Sequence, residues 1–194
     1  MRNRDKTMSK RIFDLAVALI LAPFCAVALI LAAAAVKLTS RGPVLHMSPR
    51  IGRNRVIFNM PKLRTMRVDT PQVASHLLDE PSRWLTPVGA FLRKTSLDEV
   101  PQLYSVIVGD MSFVGPRPAL FNQDDLVALR EEKGINALAP GITGWSQVNG
   151  RDEISIPEKV ALDEYYLKNQ SPWLDMKIMF MTITSVISAR GVRH

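Results

Sequence analysis

The longest apolar stretch of the chain runs from Ile12 to Val36, and only Asp14, Pro23 and Cys25 interrupt it. As a straight helix it would extend about 37 Å at about 1.5 Å per residue, enough to cross a hydrocarbon core of about 30 Å. A cleaved signal peptide should be shorter and end at a small-residue site. The Ala32–Ala35 tract could imitate such a site, but Lys37, Arg41, Arg50, Arg53 and Arg55 follow closely and would oppose export. Basic residues also precede the stretch, at Arg2, Arg4, Lys6, Lys10 and Arg11. A plain spanning helix has one positive side, so two positive flanks favour a segment that enters the membrane and returns to the same face. Pro23 supplies a bend, because proline removes a helical hydrogen bond and clashes with the preceding turn. A kinked helix that spans the membrane remains the alternative. Asp14 is costly in hydrocarbon and is expected at the interface, near Lys10 and Arg11.

Beyond this anchor, Ser40–Pro43 reads as a turn, and Val44–Met47 and Val56–Met60 as short strands divided by the basic stretch Arg50–Arg55. Helical patterns cover Val73–Leu78, Leu97–Val108, Asp124–Lys133, Pro157–Lys168 and Leu174–Ser188, joined by segments rich in Gly and Pro. The last of these is strongly apolar and has Trp173 at its start, so the pattern fits a helix lying in the membrane interface as well as a core helix. The expected fold class is mixed α/β and mainly helical. Two parts are expected, an anchor over residues 1–39 and one catalytic domain over 40–194.

With 194 residues, a net charge of +7 and a pI near 9.9, the chain favours an anionic partner such as a membrane surface, a phosphate or a nucleic acid. Nucleic acid is disfavoured, because only three Trp and three Tyr are present and no basic stripe interleaves with them. A single cysteine excludes an intrachain disulfide and a cysteine-based zinc cluster, and His46, His76 and His194 have no ligand spacing.

No GxGxxG, P-loop or Asp-x-Asp pattern is present, so the common dinucleotide, nucleoside-triphosphate and metal-dependent glycosyl transfer signatures are missing. The densest mixture of charges is Arg93-Lys-Thr-Ser-Leu-Asp-Glu-Val-Pro101. Asp98 could attack phosphorus as a nucleophile, and Asp98 and Glu99 could share a magnesium ion that offsets the charge of the phosphate attacked. Arg93 could neutralise phosphate oxygens. A capping box formed by Ser96 and Glu99 would explain the same residues structurally, and the two readings are compatible. Arg117 sits between two prolines in Gly115-Pro-Arg-Pro118, which pre-orients it as a phosphate clamp or leaves it a solvent-exposed arginine on a rigid turn. Pro140–Arg151 reads as a hairpin with an Asn-Gly turn that delivers Arg151 to a diphosphate pocket, or as a purely structural hairpin with Trp145 in the core. Lys62, just after an apolar strand, is by itself an ordinary surface lysine.

Six segments, in order, resemble the bacterial sugar transferase family, the small monotopic phosphoglycosyl transferases that begin glycan assembly on polyprenyl phosphate. They are Lys10-Arg-Ile-Phe-Asp14, Lys62-Leu-Arg-Thr-Met66, Thr95–Leu103, Gly109–Pro118, Pro140–Arg151 and Leu174-Asp-Met-Lys-Ile178. Any one of them could arise by chance, whereas the ordered set is specific. The resemblance implies a membrane-embedded re-entrant helix-break-helix at the N-terminus and a small catalytic domain with interfacial amphipathic helices. It places the protein at the cytoplasmic face of the bacterial inner membrane, in contact with lipids. Where the family often has serine before the helix-breaking proline, this chain has Ala22.

By the same resemblance, Asp98 attacks the diphosphate of a UDP-sugar, UMP leaves, and polyprenyl (undecaprenyl) phosphate collects the phosphosugar. Mg²⁺ is the implied cofactor, with Asp98 and Glu99 as its protein ligands. Lys62, Arg93, Arg117, Arg151 and Asp175 match substrate-binding positions at or around the site. The sugar implied is an N-acetylated hexosamine, and the oligomeric state stays open, a homo-oligomer included. Two other functions compete: a membrane-anchored non-enzymatic module that binds anionic polymer, and a glycosyl transferase that would release UDP.

Overall fold

A computed structural model of the protein describes residues 2–71, 80–150 and 154–187. The helix expected over Val73–Leu78 and the candidate ligand Arg151 lie outside the described residues.

The apolar stretch forms one helix, α1 (Arg2–Thr39), with Pro23 inside it. Two helices separated by a break were expected, but the proline costs its own backbone hydrogen bond and leaves helix on both sides. Only 11% of the most apolar part of α1 is buried, so it is not the core helix of a soluble domain. Its two ends nevertheless dock. Ala18 packs into a cluster with Val106, Val114, Tyr166 and Ile178, and Ala32 and Val36 pack with Leu63 and Leu92. Between these anchor points Leu19, Ile20, Phe24, Val27, Ile30 and Leu31 are exposed.

Strands β1 (Leu45–Ile51) and β2 (Ile57–Leu63) form an antiparallel hairpin in which His46 faces Lys62 and Arg50 faces Phe58. Its turn places Asn54 and Arg55 at positive φ, a conformation asparagine tolerates well. Pro49 and Pro61 are accommodated because each strand of a two-stranded sheet keeps one unpaired edge. The strands are longer than the sequence pattern suggests, since these prolines fall inside the paired stretch.

A short helix, α2 (Gly89–Lys94), which hydrophobic periodicity does not reveal, precedes a single 3₁₀ turn at Leu97–Glu99 and then α3 (Gln102–Val108). One helix was expected over Leu97–Val108. The divided form follows from Pro101, which occupies the N-cap of α3 and has no N–H to continue the preceding turn. Strands β3 (Ser112–Val114) and β4 (Gly141–Thr143) pair in parallel, with α4 (Asp124–Glu132) in the connection between them.

The Asn-Gly hairpin expected before Arg151 is not formed. Trp145–Asn149 is a helical turn, α5, which Gly144 enters in extended conformation. Trp145 is half-buried and stacks on Tyr165 at 5.4 Å between ring centroids. Helices α6 (Ile156–Asn169) and α7 (Pro172–Ile187) close the described chain. On α7, Leu174, Asp175 and Ile178 face the core, while Trp173, Met176, Phe180 and Ile183 form an exposed apolar stripe at helical spacing.

Candidate active site

The site is built around the turn that carries Asp98. Ser96 adopts left-handed backbone (φ 56°) with no side-chain cap, so the capping box expected from Ser96 and Glu99 is absent. A capping box does form elsewhere, between Ser155 and Glu158 at the start of α6. Freed from capping, the two neighbouring carboxylates point to different surroundings. Asp98 is buried at 8% exposure. Glu99 turns to β2, where Lys62 Nζ donates to its Oε1 at 2.8 Å.

Lys62 occupies the penultimate position of β2, and its strand places it beside the turn rather than on open surface. Arg117 Nη2 lies 3.9 Å from the same Glu99 oxygen, and Gln102 also hydrogen-bonds Glu99. Arg93, in the last turn of α2, donates from Nε to Thr65 Oγ1 at 3.0 Å, and its charge acts on Asp98. Lys62, Arg93, Asp98, Glu99 and Arg117, expected together from sequence, are thus brought together.

Arg117 owes its place to backbone fitted closely behind it. Gly115 N–H donates to Thr143 carbonyl and Gly141 N–H to Pro116 carbonyl, each at 2.9 Å. A Cβ at Gly141 would lie 2.2 Å from Gly115 N, and one at Gly144 would lie 2.1 Å from Gly115 O, so these chains approach only as glycines. Arg130 Nη1 donates to the Arg117 carbonyl at 2.9 Å while its Nε and Nη2 grip Asp163 Oδ2 at 3.0 and 2.6 Å. Ser146 Oγ donates to the other Asp163 oxygen at 2.8 Å. The sequence pattern singles out neither Arg130 nor Asp163, because each is one of several charged residues on its helix. Arg50, visible in sequence only as part of a basic stretch, lies on the same wall as Lys62, Glu99 and Arg117.

Asp175 is not part of that cluster. It is 1% exposed and sits where the anchor meets the domain. Lys10 Nζ bridges Asp175 Oδ2 at 3.0 Å and Asp14 Oδ1 at 2.9 Å. The Phe113 N–H donates to Asp14, and the Tyr166 hydroxyl is 2.7 Å from Asp175 Oδ1 and 3.1 Å from the Val114 carbonyl. Asp14 is therefore buried in protein and paired with Lys10, its expected neighbour. Arg11 adds to this junction by donating to the carbonyls of Val106 and Ile107 in the last turn of α3. The link from Asp175 to the cluster is indirect: through Tyr166 it reaches β3, three residues before Arg117.

The electrostatics divide the two carboxylates. Burial pushes Asp98 up to about 6, assisted by Glu99 and opposed by Lys62 and Arg93. Burial acts on Glu99 in the same direction, but Lys62, Arg117 and the hydrogen bonds from Lys62 and Gln102 outweigh it and hold Glu99 down at about 2. Adjacent carboxylates with separated acidities take different roles. Glu99 is a fixed anion that organises cations, whereas Asp98 is a poorly solvated carboxylate, ionised at neutral pH and available for attack on an electrophile.

Among the described residues no group of three or more His, Cys, Asp and Glu side chains is placed to hold a metal. Asp98 and Glu99 offer hard oxygen donors, which suits an ion held by one or two carboxylates together with substrate phosphates, the usual habit of Mg²⁺.

Residues 5–189 match the family model described as bacterial sugar transferase. The chain is 40% identical over 187 residues to a protein of Bacillus subtilis named uncharacterized sugar transferase EpsL, covering 95% of this chain and 90% of that protein. It is 38% identical over 201 residues to the undecaprenyl-phosphate glucose phosphotransferase of Komagataeibacter xylinus, covering 95% of this chain but only 37% of that protein. With the UDP-glucose:undecaprenyl-phosphate glucose-1-phosphate transferase of Caulobacter vibrioides it shares 38% identity over 190 residues, 93% of this chain and 70% of that protein. The chain thus spans little more than a third of some of its relatives and nearly the whole of others. With the site's carboxylate pair and its cations in place, and the family model matched over almost the full length, the chain belongs to the bacterial sugar transferase family.

Proposed function

We propose that the protein transfers a sugar 1-phosphate from a UDP-sugar to undecaprenyl or a related polyprenyl phosphate, with UMP as the other product. The single observation that carries this reading is the divided carboxylate pair, in which Asp98 is buried and poised to attack while Glu99 is locked among Lys62 and Arg117. The names of the Komagataeibacter and Caulobacter relatives, which specify undecaprenyl phosphate as acceptor, support the acceptor class.

In the first step an Asp98 oxygen attacks the phosphorus that bears the sugar, and the bond to the bridging oxygen breaks. UMP leaves with that electron pair, and the phosphosugar stays on Asp98 as an acyl phosphate. In the second step a phosphate oxygen of the polyprenyl phosphate attacks the same phosphorus, the bond to Asp98 breaks, and the carboxylate is regenerated. Arg117 and Arg93 act on phosphate oxygens as charge moves between them. Lys62 holds Glu99 in place and adds positive charge. Mg²⁺ held by Asp98 and Glu99 with the substrate phosphates would supply further neutralisation of the diphosphate. A covalent intermediate splits one exchange between two bulky anions into two displacements at one site. Arg151 belongs to the same proposal as a diphosphate ligand, and Asp175 as a group that fixes β3 and the anchor rather than one that touches substrate.

The same observations support a membrane arrangement as part of this proposal. Both ends of α1 dock on one domain, both of its flanks are basic, and its middle is apolar and exposed. These features support a re-entrant anchor with the domain at the cytoplasmic face. The α7 stripe of Trp173, Met176, Phe180 and Ile183, exposed beside a buried Asp175, supports an interfacial helix.

The test is nucleotide release by the purified protein with magnesium, undecaprenyl phosphate and a panel of donors, beside Asp98→Asn. The panel holds UDP-glucose, UDP-galactose and UDP-N-acetylhexosamines, since relatives are named for glucose and galactose and the family resemblance favours N-acetylated sugars. UMP from the wild type and none from the variant is expected. UDP in place of UMP would contradict phosphosugar transfer.

A further inference from the structure

Arg50 lies near the end of β1, and its backbone region is joined to the segment that follows Arg117. Ile51 N–H donates to the Ala119 carbonyl at 3.0 Å, and Arg50 forms a bridge with Leu120. The side chain follows the same path, with Nε donating to Ser48 Oγ at 3.1 Å and Nη1 to the Pro118 carbonyl at 3.3 Å. Both partners are neutral. A guanidinium carries five N–H donors in a rigid fork, and among the described residues Nη2 makes no hydrogen bond. The fork lines a pocket with Lys62, Glu99, Gln102 and Arg117.

The charge balance of this wall is uneven, because three cations, Arg50, Lys62 and Arg117, surround the one carboxylate of Glu99. Burial and the neighbouring Arg117 push the Arg50 guanidinium down to about 10. A neutral donor could join Ser48 to Pro118 equally well, and the attraction of Glu99 is already shared with Lys62 and Arg117, so half-burying a third cation there brings a cost that these contacts do not repay. The cost disappears if an anion enters the pocket, and the planar fork suits phosphate oxygens.

Resting on the reaction read above, we propose that Arg50 is a ligand for a substrate phosphate, completing with Lys62 and Arg117 a three-cation site set against Glu99. The phosphate belongs either to the diphosphate of the donor or to the acceptor, which share this chemistry. Arg50 acts on binding and leaves the nucleophile untouched.

Calorimetric binding of inorganic pyrophosphate, UMP and undecaprenyl phosphate to wild type, Arg50→Gln and Arg50→Lys in one detergent tests this, with thermal unfolding measured alongside. Arg50→Gln is expected to weaken at least one probe by about tenfold or more, and Arg50→Lys to recover part of the loss. Weaker pyrophosphate and UMP assign the site to the donor, and weaker undecaprenyl phosphate alone assigns it to the acceptor. A purely structural Arg50 would lower the unfolding temperature, leave the affinities alone and gain nothing from lysine. Affinities within about twofold of wild type for all three probes, or a wild type that binds none of them, would overturn the proposal. UMP formation from UDP-sugars by the wild type judges the reaction separately. Its absence beside Arg50-dependent pyrophosphate binding removes the reaction and keeps the anion site. Its presence beside Arg50-independent binding does the reverse.

Discussion

Replacing Asp98, the proposed nucleophile, should make the protein more stable as it makes it inactive. Asp98 is raised from an ordinary 3.8 to about 6 because folding strips water from its carboxylate. The unfolded chain ionises this group above about pH 4, whereas the folded chain still holds the proton there. The folded state therefore loses stability as pH rises from about 4 to 6, and carries the full cost above that. At about 1.4 kcal/mol per tenfold change in acidity, the cost at pH 8 is about 3 kcal/mol. Asp98→Asn keeps the shape and never ionises, so it should gain up to about 3 kcal/mol at pH 8, about half of that at pH 5, and close to nothing below about pH 4. For a chain of this size that gain corresponds to about 6–12 °C in unfolding temperature. The assay is thermal unfolding of both proteins in one detergent, with a chelator present so that bound cations do not mask the cost of burying the charge. Glu99→Gln provides the opposite sign, because Glu99 is held down at about 2 by its cations and its ionised form stabilises the fold at neutral pH. An Asp98→Asn protein no more stable than wild type at pH 8, or one with an equal gain at pH 4, would refute the claim that burial strains this carboxylate.

If Asp98 attacks as proposed, the donor half-reaction should lose activity with an acid limb near pH 6, falling to about a tenth by pH 5, since only an ionised carboxylate is nucleophilic. Lys62→Met should move that limb to higher pH, because Lys62 favours the ionised form of Asp98; single-turnover UMP release across pH measures both limbs, and an unmoved limb would count against the assigned electrostatics. Asp163→Leu, which leaves Arg130 buried without its anion, should destabilise the fold by about 3–5 kcal/mol, and Arg130→Met added to it should restore part of the loss. Denaturant unfolding of the single and double variants reads this directly, and additive losses would show that the pair is not coupled.

Much of the fold was legible where periodicity is long enough to register. Asp124–Lys133, Pro157–Lys168 and Leu174–Ser188 correspond to α4, α6 and α7 within a residue or two at the described ends. The same pattern failed around Pro101, where a run of apolar residues is divided by one residue without an N–H. Strand β3 is three fully buried residues, too short for alternation to show, and α5 hides in a Gly-rich stretch whose glycines serve backbone contact and not a hairpin. At the site, Asp98, Glu99, Lys62, Arg93 and Arg117 could be named because an ordered set of short segments carries them. Arg50 and Arg130 could not, since their importance lies in what long-range packing places beside them: the Pro118 carbonyl for one, the Arg117 carbonyl and Asp163 for the other. Asp175 shows the converse. Its segment was recognisable, but only the fold reveals that its partners are Lys10 and Tyr166.

The central claim is that the phosphosugar is held covalently on Asp98 between the two displacements. Intact-protein mass spectrometry after incubation with magnesium and the accepted UDP-sugar, without polyprenyl phosphate, tests it most directly. The account predicts a mass increase equal to one phosphosugar, mapped by peptide analysis to Asp98, absent in Asp98→Asn and discharged when undecaprenyl phosphate is added. UMP release with full turnover but no adduct under rapid quenching, or an adduct on another residue, would contradict it.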